Sequence, residues 1–417
     1  MQPKLVSSRT RDILLLIFSI AGLLGLVARG VYVLIQGFNP VSLAFTQEQV
    51  SSLLDAVSMF FCALLILPLL FFCIRKLNGR EIPLAKFAQV KFWQVIVIAA
   101  GWIFIIILGT VFNSLPNFGG LLAIPFFVLG IAIPVAVLVW IATSGLPTGS
   151  WRRLWAAFAI GMTGSTLLAV LLEYGLVAIA ALLAGAVAAT NPQWLAIFNQ
   201  IKNEVTRSGD VQALLTTLSP YLTNPLVLLA ALAFAAVIAP IIEESLKPAA
   251  VWLLGKRLHS PAEGFALGAL CGAGFALLEG SLAASGMSQL LGIGLAARSA
   301  SSLMHITASA LMGWAIASAR LEKRYGRLAG TYLVSVGIHG LWNGSVVLAV
   351  FGSLRITLQG GSPDIAGVLL VGIGIATLVS MLIAITIILP VFNRRLRLGL
   401  MDKSAPVQSD IIAPLQA

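Results

Sequence analysis

Acids, imidazoles and a lysine recur in the second half of this chain, each time inside a run of apolar residues. The run from about Leu226 to Leu254 contains Glu243, Glu244 and Lys247, bracketed by Pro240 and Pro248. The next holds Phe275-Ala-Leu-Leu-Glu279, the one after it His305-Ile-Thr-Ala-Ser309, and the fourth His339-Gly-Leu-Trp-Asn343. Residues four apart share a helix face, and Glu243 precedes Lys247 in the favourable order for an ion pair. One charged residue at a helix centre opposes membrane insertion by about 2.5–3.5 kcal/mol, so this group needs partners in a protein-lined cavity. Each proline leaves a carbonyl four residues earlier without its donor, tolerable in a membrane only where the helix packs in protein or lines water. Two hydrolytic chemistries suit such a set. Carboxylates beside neutral imidazoles hold a divalent metal such as zinc, which lowers the pKa of its bound water to about 7. Without a metal, a desolvated glutamate acts as general base on water while His and Asn polarise the carbonyl.

The elements that must position these groups are membrane spans. Of 417 residues 59% are hydrophobic and 10% charged, against roughly 25% charged in soluble domains; the mean hydropathy is +1.00. The pattern predicts an all-α polytopic transmembrane helical bundle. About ten runs are long enough to cross, near 13–35, 53–74, 92–112, 120–144, 154–188, 226–255, 262–284, 299–319, 328–352 and 366–392. A re-entrant run would reduce the count to eight or nine. The fifth is long, with an expected break around Glu173 and Gly175. The basic start and long first run predict an uncleaved first span. Cys62, Cys73 and Cys271 fall in apolar segments and imply no disulfide framework.

The net charge of +11 does not point to nucleic acid, because the basic residues form short clusters between spans. With the N-terminus inside, all Lys and Arg fall on the cytoplasmic side except Arg29, Lys202, Arg207, Lys247, Arg298 and Arg355. That asymmetry predicts a multi-pass cell-membrane protein with both termini cytoplasmic. Counting inward from the basic clusters at 1.5 Å per residue, Glu244, His305 and His339 lie about 18–22 Å deep and Glu279 roughly 27 Å. Three of the four thus share a layer just outside the midplane.

Residues 1–189 form an N-terminal transmembrane region of unassigned role, and 190–225 an extracytoplasmic connection. There Trp194, Leu195, Phe198 and Ile201 recur at the spacing of an amphipathic helix on the outer leaflet. The core with the polar groups spans 226–352, the last span 353–392, and a basic cytoplasmic tail 393–417, polar and disordered after Arg397. Bland readings cover the rest. Gly264, Gly268 and Gly272 read as close helix packing, Glu173 as a packing residue paired with a neighbouring helix, Asp55 and Arg29 as interfacial, and His259 as a loop residue.

Glu243-Glu244-x-x-Lys247, Phe275-x-x-x-Glu279, His305 and His339, in this order on consecutive spans, resemble the PrsW family of intramembrane proteases. That family belongs to a superfamily with the CAAX prenyl endopeptidases and bacteriocin-immunity-type proteins. The CAAX branch usually has an arginine after the glutamate pair and a histidine where Glu279 stands; this chain follows PrsW at both. The resemblance covers roughly residues 226–350 and leaves the first five spans unaccounted for. It implies a peptidase that cuts a membrane-anchored protein, as PrsW cuts an anti-sigma factor, either as a metalloprotease or by a metal-independent glutamate mechanism.

The expected assignment follows. Glu243 or Glu244 activates water; Glu279, His305 and His339 bind a metal or orient the water; Asn343 stabilises the oxyanion; Lys247 tunes the glutamates. The rival readings are an ion- or proton-coupled transporter, since buried Glu and His also mark ion pathways, a CAAX-type prenyl endopeptidase, and an inactive membrane scaffold.

Overall fold

The structure is a computed structural model that describes residues 8–37, 46–115, 119–207, 224–358 and 364–404. Part of the 190–225 connection (208–223) and most of the tail (405–417) lie outside the described residues. Among the described residues ten helical segments are long and apolar enough to cross a bilayer, and each overlaps one of the ten runs expected from the sequence. In chain order the helices are α1 (Ser8–Gly37), α2 (Gln47–Leu64), α3 (Leu67–Leu77), α4 (Phe92–Asn113), α5 (Gly119–Thr143), α6 (Trp151–Ala159), α7 (Thr166–Ala188) and α8 (Pro192–Arg207). The second half adds α9 (Pro225–Ala233), α10 (Ala239–Leu246), α11 (Ala249–Leu254), α12 (Pro261–Ser285), α13 (Leu291–Glu322), α14 (Tyr325–Leu358) and α15 (Ile365–Ser404). No strand occurs among the described residues; backbone bridging is confined to an isolated contact between Leu84 and Ser150.

The bundle is built around α12 and α13, whose most apolar stretches are 89% buried while the other spans reach at most 39%. Small residues explain how. Lipid offers no hydrophobic drive for helix association, so packing relies on close backbone approach. A Cβ added at Gly264, Gly268 or Gly272 would lie 2.4, 2.3 and 2.7 Å from the carbonyl oxygens of Gly313, Ser309 and His305 respectively. The glycine series of α12 therefore seats α13, and with it His305.

A short turn at Lys323 and Arg324 joins α13 to α14, Lys323 closing α13 in the left-handed region (φ 57°). His305 stands 18 residues before Lys323 (323 − 305) and His339 16 after it (339 − 323). Arms of nearly equal length bring the two imidazoles level.

Two departures from the expected helices matter. The fifth span is interrupted by a π-helical turn at Ile160–Ser165, before Glu173 and not at it. There Gly161 and Gly274 let α12 cross, since their Cβ atoms would stand 2.0 and 2.1 Å from the Cys271 and Phe158 oxygens. In the sixth span a second π-helical turn, Phe234–Ile238, precedes Pro240 and absorbs the proline's missing donor. The carbonyl of Ala236 faces Gly340 and that of Ala235 accepts from Asn343 Nδ2 at 3.0 Å.

α15 continues to Ser404, so the first residues of the expected disordered tail are helical; Arg394, Arg395 and Arg397 favour helix, and no proline intervenes before Pro406. Arg153 pairs with Glu263, which also accepts from the His259 backbone at 2.7 Å, tying α6 to the start of α12. Arg29 and Asp55 meet at 3.4 Å. Arg355 bonds Asp364 at 2.7 Å and holds its carboxyl below the usual carboxylate range. All three cysteines are free and buried.

Candidate active site

α10 is short because Pro240 opens it and Pro248 follows its end, and one turn of it presents Glu243, Glu244 and Lys247 to α13 and α14. Lys247 is fully buried. Its Nζ lies 2.6 Å from His305 Nδ1, 2.7 Å from Glu244 Oε1, 2.9 Å from Glu243 Oε2 and 3.3 Å from His339 Nδ1. The Phe275 ring sits 4.7 Å beneath it, so the aromatic half of the Phe-x-x-x-Glu motif supports the cation. An ammonium has three donors, fewer than the acceptors gathered around it, and Glu243 is held as an ion pair.

The network fixes both imidazoles. His305 receives Lys247 at Nδ1 and turns Nε2 toward Glu279 Oε2 at 2.9 Å. His339 places Nδ1 2.9 Å from Glu244 Oε1, and its Nε2 accepts from Asn343 Nδ2 at 3.2 Å. The rings meet edge-on with centroids 5.1 Å apart. Both are essentially inaccessible, as is Glu244; the Glu243 side chain is 10% exposed and that of Glu279 34%. Access to the cluster is therefore on the Glu243 and Glu279 side.

Glu279 reaches His305 despite its greater calculated depth. On antiparallel α12 and α13 the Cα–Cβ bonds tilt toward opposite ends, so the two side chains lean toward each other and close a gap of about 5 Å. Its other oxygen, Oε1, lies 2.8 Å from Arg298 Nη2.

Glu243, His305 and His339 each offer a ligand atom within 4.8 Å of the others. The expected trio had Glu279 in place of Glu243; Glu279 instead stands behind His305, on the Nε2 side, where a carboxylate orients a ligating imidazole. Glu243 Oε2 is buried without a well-aligned hydrogen bond. Two imidazoles and such a carboxylate fit a divalent metal of the zinc kind. Lys247 Nζ stands among the same atoms, so ammonium and metal compete for them. Asn343 gives its amide nitrogen to Ala235 O and His339 Nε2, so contact with an oxyanion requires release of one of these bonds.

Two residues that the sequence did not assign to the site approach it. Arg298 anchors Glu279. Glu173 of α7, read from the sequence as a packing residue, lies near Glu243 where α7 packs on α10. Its signal was present, as the sole acidic or basic residue from Leu154 to Ala188, but nothing in the pattern says which helix α7 adjoins.

A family model described as PrsW family intramembrane metalloprotease matches residues 149–371. It begins well before residue 226, taking in the fifth span and Glu173 as well as the whole cluster. No curated protein and no solved structure matches the chain. With more than half of its length matched, this multi-pass membrane protein belongs to the PrsW family of intramembrane metalloproteases.

Proposed function

We propose that the chain hydrolyses a peptide bond in a membrane-anchored protein, an anti-sigma factor being one such substrate, at a site that opens toward the extracytoplasmic half of the cell membrane. Support for that orientation comes from the even number of candidate spans among the described residues and from the basic clusters, which favour the cytoplasmic side. The reading is carried by one observation: Glu243, Glu244, Lys247, His305 and His339, from three helices, meet at 2.6–3.8 Å in an otherwise apolar bundle.

Glu243 is the general base, being the more accessible of the glutamate pair. It takes a proton from water as the water oxygen bonds to the carbonyl carbon, then gives that proton to the departing amine as the C–N bond breaks. Glu244 and Lys247 form the fixed ion pair beneath it. Lys247 and His339 place positive charge and an oriented imidazole beside the developing oxyanion, and Asn343 reaches it with an N–H released from Ala235. Glu243, His305 and His339 would hold a divalent metal, which when bound supplies a more acidic water and a Lewis acid for the carbonyl.

Co-expression of a tagged single-span substrate with wild type and with Glu243→Ala, Glu244→Ala and His305→Ala tests this. The expected result is loss of the cleaved product in all three variants at unchanged protein level. Undiminished cleavage by the variants overturns the proposal.

A further inference from the structure

The ends of α12, α13, α14 and α15 that carry basic residues enclose a cavity of about 640 Å³, well within the size range of small-ligand sites. Its floor is aromatic. Trp314 of α13 and Phe392 of α15 meet edge-on there with centroids 4.9 Å apart, and Leu396 and Leu400 continue the apolar wall along α15. Its rim is cationic. Arg327 lies over the Trp314 ring at 4.4 Å and gives Nη1 to Ser318 Oγ at 2.9 Å and to Glu322 Oε2 at 3.2 Å. The other edge of that guanidinium, Nε with Nη2, has no partner among the described residues. Arg395, also on the rim, makes no ion pair among them. The acid in the lining, Glu322, already faces Arg324 and Arg327, and His259 directs Nδ1 to Glu263 at 3.0 Å.

Depth gives this arrangement its meaning. At 1.5 Å per residue Phe392 lies about 5 Å below Arg395, and Trp314 about 9 Å below Arg320. The headgroup layer on each side of a bilayer is about 5–8 Å thick, so the rim stands among headgroups and the floor where acyl chains begin. Water alone would solvate the guanidiniums and wet the aromatic floor; hydrocarbon alone would cover the floor and strand the charges. A phosphate-bearing amphiphile satisfies both. A choline head would bring a further cation beside Arg327 and Arg395, so the head that fits carries net negative charge.

We infer that this cavity binds one anionic glycerophospholipid of the inner leaflet, on the orientation proposed above. Its phosphodiester meets Arg395 and the free edge of Arg327, a fork that matches phosphate oxygens, and its upper acyl chain covers Trp314 and Phe392. Basic pockets between spans on the cytoplasmic side suit such headgroups. Because α13 and α14 also carry His305 and His339, the lipid braces the hairpin of the active site from its far end.

Purified full-length protein in detergent, titrated with phosphatidylglycerol and read by native mass spectrometry, tests this without recourse to cleavage. The expected result is one lipid per wild-type chain, with binding about fivefold weaker in Arg395→Gln, the effect of one cation near a headgroup. Gly399 lines the cavity and has open space where a Cβ would stand, so the indole of Gly399→Trp fills the cavity and should abolish binding. Arg394→Gln removes the same charge one residue away, outside the lining, and should change affinity by less than about twofold. Phosphatidylcholine and inorganic phosphate should each bind at least about fivefold more weakly than phosphatidylglycerol. Equal loss in Arg394→Gln and Arg395→Gln reduces the effect to general attraction by a basic surface and overturns the site, as does full binding by Gly399→Trp. Equal binding of phosphatidylcholine, or of inorganic phosphate, overturns the anionic-lipid assignment in favour of a tail groove or a soluble-anion site. Binding that appears only after removal of residues 405–417 gives the cavity to the chain's own tail and overturns it as well.

Discussion

Replacing Lys247 with Met deletes the buried ammonium at the centre of the cluster and keeps most of the side-chain stem over Phe275. Glu244, with no exposed surface, then keeps only His339 at 2.9 Å as its partner, and Glu243 loses its contact at 2.9 Å. Removing one member of a buried ion pair costs about 3–5 kcal/mol, because the other charge is stranded. With an unfolding entropy of about 2.1 cal/mol/K per residue over the whole chain, that corresponds to a melting temperature lower by about 3–6 °C. Intrinsic tryptophan fluorescence of the protein in lipid nanodiscs reads this directly. Combining Lys247→Met with Glu244→Gln removes the stranded charge and is expected to recover at least half of the loss. The Met variant should also retain more zinc after dialysis than wild type, since the ammonium no longer competes for Glu243, His305 and His339. A single variant that melts within about 1 °C of wild type, or a double variant no more stable than the single, refutes the view of Lys247 as the cation that holds the acids in place.

Gly268→Leu drives a side chain into the Ser309 carbonyl across the α12–α13 crossing; we expect poor yield of folded protein by size-exclusion chromatography and no substrate cleavage. Asn343→Leu removes the amide proposed to reach the oxyanion and leaves His339 Nε2 without its donor, and activity should fall about 100–1,000-fold, as when one oxyanion donor is lost, with little change in melting temperature. Asp364→Asn should lower the melting temperature at pH 7. A carboxyl held low by Arg355 contributes fully above its unfolded pKa of about 3.9 and loses that contribution as pH falls through the folded value, so the difference between variant and wild type should narrow toward pH 3.

The spans were legible because length and apolarity alone decide whether a segment crosses: the run read as 92–112 is Phe92–Asn113 in the fold. Four-residue spacing likewise marked Glu243 with Lys247 and His339 with Asn343 as sharing faces. What it could not supply was the neighbour each face meets. Glu279 was grouped with the histidines as a ligand, yet its place behind His305 depends on the opposed tilt of side chains across an antiparallel pair. Glu173 was set aside because a lone acid carries no periodicity, and only the packing of α7 on α10 gives it meaning. The π-helical turns have no sequence signature at all; they arise where Pro240 removes a donor and where Gly161 and Gly274 let two backbones cross.

The turn at Phe234–Ile238 ends one helical turn before the glutamate pair, and it holds about one residue more per turn than the helix on either side. Deleting a single residue there would restore ordinary winding and rotate everything beyond it by about 100°, carrying Glu243 and Glu244 off the face that meets the histidines. The length of this stretch is thus as much a part of the reactive centre as the identity of its acids.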